Sequence, residues 1–250
     1  MTLEARLAQW AVVPTRLPSL RRPPIGFAHR GARAHAPENT IEAFELALRL
    51  GATGLESDVW LTEDLHAVLD HDGFAGGRLR RRPIARTKVA DLPPHIPRLA
   101  DLYATCGTTF DLSLDIKDPA AIAHVVAAAR DAGAEHRLWV CHPDWQVVAT
   151  WRDLSPAIKL VDSTRLSRIK EGPERRVAAL REAGIDALNL HHSDWSGGLI
   201  ALAHRFERYA LGWDAQFDRI LDKLIDSGID GVFSDHTDRM MAAIARFSPS

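Results

Sequence analysis

Eight short β-like runs, each followed by a stretch of helical character, constrain this chain more than any other feature of its sequence. The runs cover residues 25–30, 54–60, 111–117, 137–142, 157–162, 187–192, 208–214 and 231–236. A strand that must be followed by a helix before the next strand can only be joined in parallel, and eight such units close on themselves. The fold class expected is therefore α/β, a (β/α)8 TIM barrel. The 250 residues match one complete barrel, and a 46% hydrophobic content suffices for its interior. One domain over residues 1–250 is expected.

Start and stop signals support the helices. Asn39-Thr40-Ile41-Glu42 reads as a capping box, with Asn39 at the cap and Glu42 closing it. Ile41, Phe44 and Leu48 then share one face, and Gly51 ends the helix. Gly133, Gly184 and Gly228 end three further helical stretches, over 120–132, 174–183 and 218–227. The gap over residues 61–100 is too long for one helix. It holds a further β-like run, 66–70, and the basic segment Arg78-Leu79-Arg80-Arg81-Arg82. It is expected to form a small insertion after the second strand, over the C-terminal mouth where barrel enzymes keep their chemistry.

Strand alternation says which side chains face that mouth. In the second run Leu55 and Val59 share one face and Glu56 and Asp58 the other. In the third, Leu112, Leu114 and Ile116 oppose Ser113, Asp115 and Lys117. With the apolar faces packed on the helices, Glu56, Asp58 and Asp115 converge inside. Three carboxylates in one space repel, and a divalent cation would relieve them; an all-oxygen set suits Mg2+ or Ca2+. An internal salt-bridge layer between Lys117 and these acids satisfies the same pattern equally well.

His29 ends the first run and His71 follows the inserted one, and two histidines near a metal can divide general base from general acid. His142, His191 and His192 also fall at strand ends, although alternation lets only one of the last two point inward. Trp139, Trp145, Trp151 and Trp195 read as packing residues, and the basic segment as a solvated face or an attractor of anions.

A formal net charge of -2 implies neither nucleic acid nor an anionic membrane as partner. Cys106 and Cys141, the two cysteines, exclude a disulfide framework. Residues 1–25 carry five charged side chains and no long apolar run, and no later segment suits a bilayer. A cytoplasmic protein without stable membrane insertion is expected. The stretch from Leu3 to Val13 suits a short amphipathic helix capping the barrel bottom.

The set His29-Arg30-Gly31, Pro37-Glu38-Asn39-Thr40, Glu56-x-Asp58-Val59, Thr62-x-Asp64 and His71-Asp72 resembles, in order and spacing, the signature of the glycerophosphodiester phosphodiesterase family. Ile96-Pro97-x-Leu99 and Asp115-Ile116-Lys117 are similar to later family motifs, and Trp213 and Ser234-Asp235 stand where the family places an aromatic and an acid. The resemblance is strong over residues 25–117 and diffuse beyond. Three departures stand out: Asp115 where the family has Glu, Leu65 where it has Gly in a tight turn, and His236 where it has Pro. The turn at Leu65 is expected to be reshaped.

The resemblance implies metal-dependent hydrolysis of small glycerophosphodiesters to an alcohol and glycerol phosphate. Glu56, Asp58 and Asp115 would hold the metal, and His29 and His71 would be the catalytic acid and base. Arg30 and Lys117 would grip the phosphate, and Trp213 would line the pocket for the alcohol. A phospholipase D-like or lysophospholipase D-like lipid phosphodiesterase on the same barrel is the first alternative. A non-catalytic phosphodiester-binding barrel is the second.

Overall fold

The computed structural model describes residues 19–76 and 81–247. The Leu3–Val13 stretch and Arg78-Leu79-Arg80 of the basic segment lie outside the described residues.

Eight parallel strands close a barrel: β1 (Ile25–Ala28), β2 (Gly54–Leu61), β6 (Asp111–Ile116), β7 (Leu138–His142), β8 (Lys159–Thr164), β9 (Ala187–His191), β10 (Tyr209–Trp213) and β11 (Gly231–Ser234). Each pairs with the next, and β11 returns to β1 with Phe27 opposite Phe233. Each barrel strand leads to one helix. In chain order these are α1 (Ile41–Arg49), α2 (Leu99–Cys106), α3 (Ile122–Asp131), α4 (Trp145–Ala149), α5 (Pro173–Glu182), α6 (Gly197–Arg205), α7 (Asp218–Asp226) and α8 (Thr237–Phe247). No described helix is long and apolar enough to cross a membrane.

Alternation sorts the core into two parts. The outward faces, including Leu55, Val59, Leu112, Leu114 and Ile116, pack with the helices in one large cluster. A separate inner cluster fills the barrel, among it Ile25, Phe27, Trp139, Cys141, Leu211 and Phe233. Phe27 stacks on Phe233 at 4.6 Å between centroids and meets Trp139 edge-on at 6.1 Å. This packed floor leaves the polar inward residues to the mouth. Trp151 and Trp195 are buried in the outer cluster and Trp145 packs against it.

After β2 the chain turns back into β3 (Ala67–Leu69), antiparallel to the last residues of β2. A hairpin of β4 (Phe74–Ala75) and β5 (Arg82–Pro83) follows. Val68, Ala75, Ile84 and Ile96 give this region its own small core.

Three local expectations are corrected. Thr40, not Asn39, caps α1: its hydroxyl accepts from Ala43 N–H at 3.2 Å, which leaves Glu42 one position short of the capping box. Asn39 instead takes a left-handed φ of 56°, a conformation that asparagine tolerates better than most residues. The turn before β3 is tight despite Leu65, which adopts φ 64° while its N–H donates to Thr62 O at 3.0 Å. β8 begins two residues later than its apolar run, because Ala157 N–H is tied to Ser155 Oγ in the preceding turn.

Candidate active site

The site begins where β1 stops. Arg30 and Gly31 are successive left-handed residues, φ 52° and 80°. A Cβ on Gly31 would lie 2.7 Å from the backbone carbon of Ala43 in α1, so only glycine permits the turn. The turn directs Arg30 N–H at Glu56 Oε2, 2.9 Å away. Asn39 N–H donates to Arg30 O, and Asn39 Oδ1 accepts from Ser57 Oγ at 2.8 Å. The loop is thereby fastened to β2 between Glu56 and Asp58.

Glu56, Asp58 and Asp115 each offer a carboxylate oxygen, all within 4.8 Å of one another. They are not unpaired. Lys117 Nζ lies 2.8 Å from Asp58 Oδ1 and 3.3 Å from Asp115 Oδ2, and Arg30 Nε lies 3.3 Å from Asp58 Oδ2. The sequence offered a cation site and a salt-bridge layer as alternatives; the geometry contains elements of both.

The cations do not fully satisfy the acids. Asp58 Oδ2 is buried without a hydrogen bond, its contact with Arg30 being out of alignment. Burial, then the nearby Asp58 and Asp115, push Glu56 up to about 8 against the opposing pull of His29. Asp115 is raised too, chiefly by desolvation, although its side chain keeps 37% of its surface open. Burial alone would lower Lys117, but Asp115 and Asp58 outweigh it and hold the ammonium above its ordinary range. Oxygen donors this crowded and this short of positive charge fit a hard divalent cation.

His29 Nδ1 donates to Asp235 Oδ1, and Nε2 lies 3.8 Å from Glu56 Oε2. Burial favours the neutral imidazole, but Glu56 and Asp235 overcome it and raise the His29 pKa. His71, in the segment after β3, is half exposed, with Nδ1 2.9 Å from Asp72 Oδ1. That hydrogen bond holds Asp72 below the usual carboxylate range. Behind it Gly73, φ 74°, lies flat against Trp60, where a Cβ would come within 2.5 Å of the ring.

These groups border one cavity of about 600 Å³. Of the eight site residues expected from sequence, seven line it: His29, Arg30, Glu56, His71, Asp115, Lys117 and Trp213. Asp58 sits just behind, 3% exposed at its side chain. His142, His191 and His192 do not border it. His191 instead meets Trp213 edge-on at 4.6 Å and Asp214 at 3.1 Å. Such a cavity can seat a small anionic ligand between two imidazoles.

Sequence reasoning missed the role of Asp235 toward His29, although Phe233 faces inward and alternation from it reaches Asp235. It also missed Asn189, Ser163, Arg165 and Arg168, which line the same cavity. Asn189 could have been placed by alternation between the outward Leu188 and Leu190. The arginines lie beyond a strand end, where periodicity says nothing.

Residues 29–101 match the model of the glycerophosphoryl diester phosphodiesterase family. A glycerophosphodiester phosphodiesterase of Bacillus altitudinis is 24% identical over 235 residues, covering 85% of this chain and 95% of that protein. One from Caldanaerobacter subterraneus is 58% identical over 45 residues; that match spans only 18% of each chain, and the chain likewise matches about a fifth of the first curated relatives' length. Among solved structures, a putative glycerophosphoryl diester phosphodiesterase of Silicibacter pomeroyi shares the fold with a TM-score of 0.78 at 24% identity, covering 93% of this chain and 96% of that one. An Oleispira antarctica phosphodiesterase, solved in complex with the product sn-glycerol-3-phosphate, does so at 0.74 and 23% identity, covering 89% and 97%. The matched segment holds the turn at His29, both carboxylates of β2 and His71, and over it the chain is similar to the glycerophosphodiester phosphodiesterase family.

Proposed function

We infer that this protein is a phosphoric diester hydrolase acting on small glycerophosphodiesters, giving an alcohol and glycerol phosphate. The observation that carries the reading is the convergence of Glu56, Asp58 and Asp115 within 4.8 Å at the wall of a cavity bordered by His29, His71, Arg30 and Lys117. A phosphodiester is a stable anion that repels nucleophiles, so its hydrolysis needs charge neutralisation and proton transfer together. This site offers groups for both.

In this reading Glu56, Asp58 and Asp115 hold one divalent ion, Mg2+ or Ca2+. When bound, it supplies Lewis-acid stabilisation of charge on the phosphoryl oxygens. Lys117 and Arg30, already held beside the cluster, orient the phosphate. His29 acts as the base: Asp235 takes its Nδ1 proton as a hydrogen bond, leaving Nε2 free on the side of Glu56. His71 acts as the acid, carried by the inserted segment 61–100 at the mouth and kept near a counter-charge by Asp72. Trp213 offers an apolar face to the alcohol, beside the polar Ser163 and Asn189.

The test is a phosphate-release screen coupled to a phosphatase. Glycerophosphocholine, glycerophosphoethanolamine, glycerophosphoinositol and lysolipids are assayed with and without Mg2+, Mn2+ and Ca2+. Turnover of a water-soluble glycerophosphodiester that depends on the ion supports the reading. Turnover of lysolipids alone would shift it to a lipid phosphodiesterase, and binding without turnover to a non-catalytic barrel.

A further inference from the structure

We propose that His35, His236 and Asp238 form a second metal site, for a zinc-class transition-metal ion, on the rim of the mouth and separate from the carboxylate cluster. His35 lies in the loop after β1, His236 just before α8, and Asp238 in the first turn of α8. His35 is some two hundred positions from the other two in sequence and meets them only because β11 closes onto β1. One nitrogen of each imidazole and one carboxylate oxygen lie within 4.8 Å of one another. His35 Nε2 is 3.2 Å from Asp238 Oδ1, close to the roughly 3.3 Å between two ligands of a tetrahedral ion with bonds of ~2.0–2.1 Å. The imidazole rings stand 6.2 Å apart and nearly perpendicular, so they do not stack on one another.

The backbone beneath is pinned. His35 N–H donates to Ala32 O at 2.8 Å, and Ala34 N–H crosses to Asp235 O at 3.1 Å. His236 donates its N–H to Ser234 Oγ and accepts from Met240 N–H. Little ordering therefore remains to oppose binding. Two imidazoles and one carboxylate suit a borderline-soft ion, whereas the all-oxygen set of Glu56, Asp58 and Asp115 suits a hard one. Partial exposure of His35 and Asp238, 38% and 56% at their side chains, lets water complete the coordination.

A third group, His191, His192 and Asp214, is spaced for a metal as well. There His191 Nδ1 accepts from Ser193 N–H at 3.2 Å, which places its proton on Nε2 toward Asp214. Coordination through that Nε2 would force two N–H groups together at Nδ1. His35 and His236 carry no such conflict. An ion on them would clamp the first and last units of the barrel together.

The experiment uses the full chain carrying Glu56→Gln and Asp115→Asn, to weaken the carboxylate cluster. Co2+ is titrated and its visible d–d absorption followed, and melting is measured with Zn2+. One equivalent of Co2+ with imidazole-type bands is expected, together with a melting temperature that rises with Zn2+ concentration. Adding His35→Ala or His236→Ala should weaken Co2+ binding at least ~10-fold, and both together should abolish the Zn2+ shift. Asp238→Asn, which keeps a polar group in the first turn of α8, should also weaken binding. An unchanged metal-free melting temperature in these variants shows that folding is intact. The proposal is overturned if the parent takes up no imidazole-ligated Co2+, or if affinity survives loss of both imidazoles.

Discussion

The imidazole of His29, at the end of the first strand, is held by the carboxylate of Asp235, just past the last: Nδ1 and Oδ1 are 2.5 Å apart. Gln216 secures the acid, its Oε1 accepting from Asp235 N–H at 2.9 Å. The contact crosses the seam that closes the barrel. It sets the tautomer and the aim of His29 together.

Asp235→Asn should therefore lower kcat by ~10²-fold on a glycerol diester, within the usual range for losing one acid–base contribution. In metal-free protein it should also lower the His29 pKa, because Asp235 is one of the groups that raise it. An NMR titration of the imidazole checks the second effect. An unchanged His29 pKa would mean that the pairing does not form in solution.

Metal dependence rests on the crowding of Glu56, Asp58 and Asp115. Chelation should abolish hydrolysis and one divalent ion restore it, with full activity of stripped protein in EDTA as the contrary outcome. Asp115→Asn should weaken ion affinity by calorimetry, and Asp115→Glu should largely keep it. Equal affinity in Asp115→Asn would make this residue a structural partner of Lys117 alone.

The two histidines should separate by leaving group. His29→Ala and His71→Ala should each cost ~10²-fold or more on a glycerol diester. On a nitrophenyl diester, whose leaving group needs no proton, the His71 variant should recover much of its rate and the His29 variant should not. Equal losses on both substrates would remove the division of labour.

Leu65 occupies a left-handed turn position with 57% of its surface exposed. The backbone strain of a non-glycine residue there is about 1–2 kcal/mol. Leu65→Gly should relieve part of it and raise the melting temperature by ~2–4 °C. Calorimetric scans of the two proteins decide the matter; a lower melting temperature would show that the turn is not strained.

Asp162 is buried between β8 and α5 and bound by Arg176 at 2.8 Å. Burial pushes its carboxyl up to about 6 against the pull of Arg176. The folded state then holds a proton that the unfolded chain releases near its ordinary value of 3.8. Stability from this group falls as pH rises between those values and stays reduced above them. Arg176→Leu should cost about 3–5 kcal/mol at neutral pH, because it strands a buried charge. The loss should shrink in urea melts at pH 4. A loss independent of pH would point to packing of the arginine stem.

The sequence by itself determined the number of barrel strands, their parallel order and the inward direction of Glu56, Asp58 and Asp115. These follow from periodicities of two and 3.6 that each segment carries alone. It also singled out Gly31 and His71, since the motif around each is contiguous. Only the tertiary structure decided that Lys117 and Arg30 stand among the acids, that Asn39 fastens a loop to Ser57, and that Asp235 reaches His29. Contacts such as His29–Asp235, 206 positions apart along the chain, are made by barrel closure. A turn such as that of Arg30 takes its shape from the helix packed behind it. No local pattern encodes either, because what fixes them is the position of atoms far away in sequence.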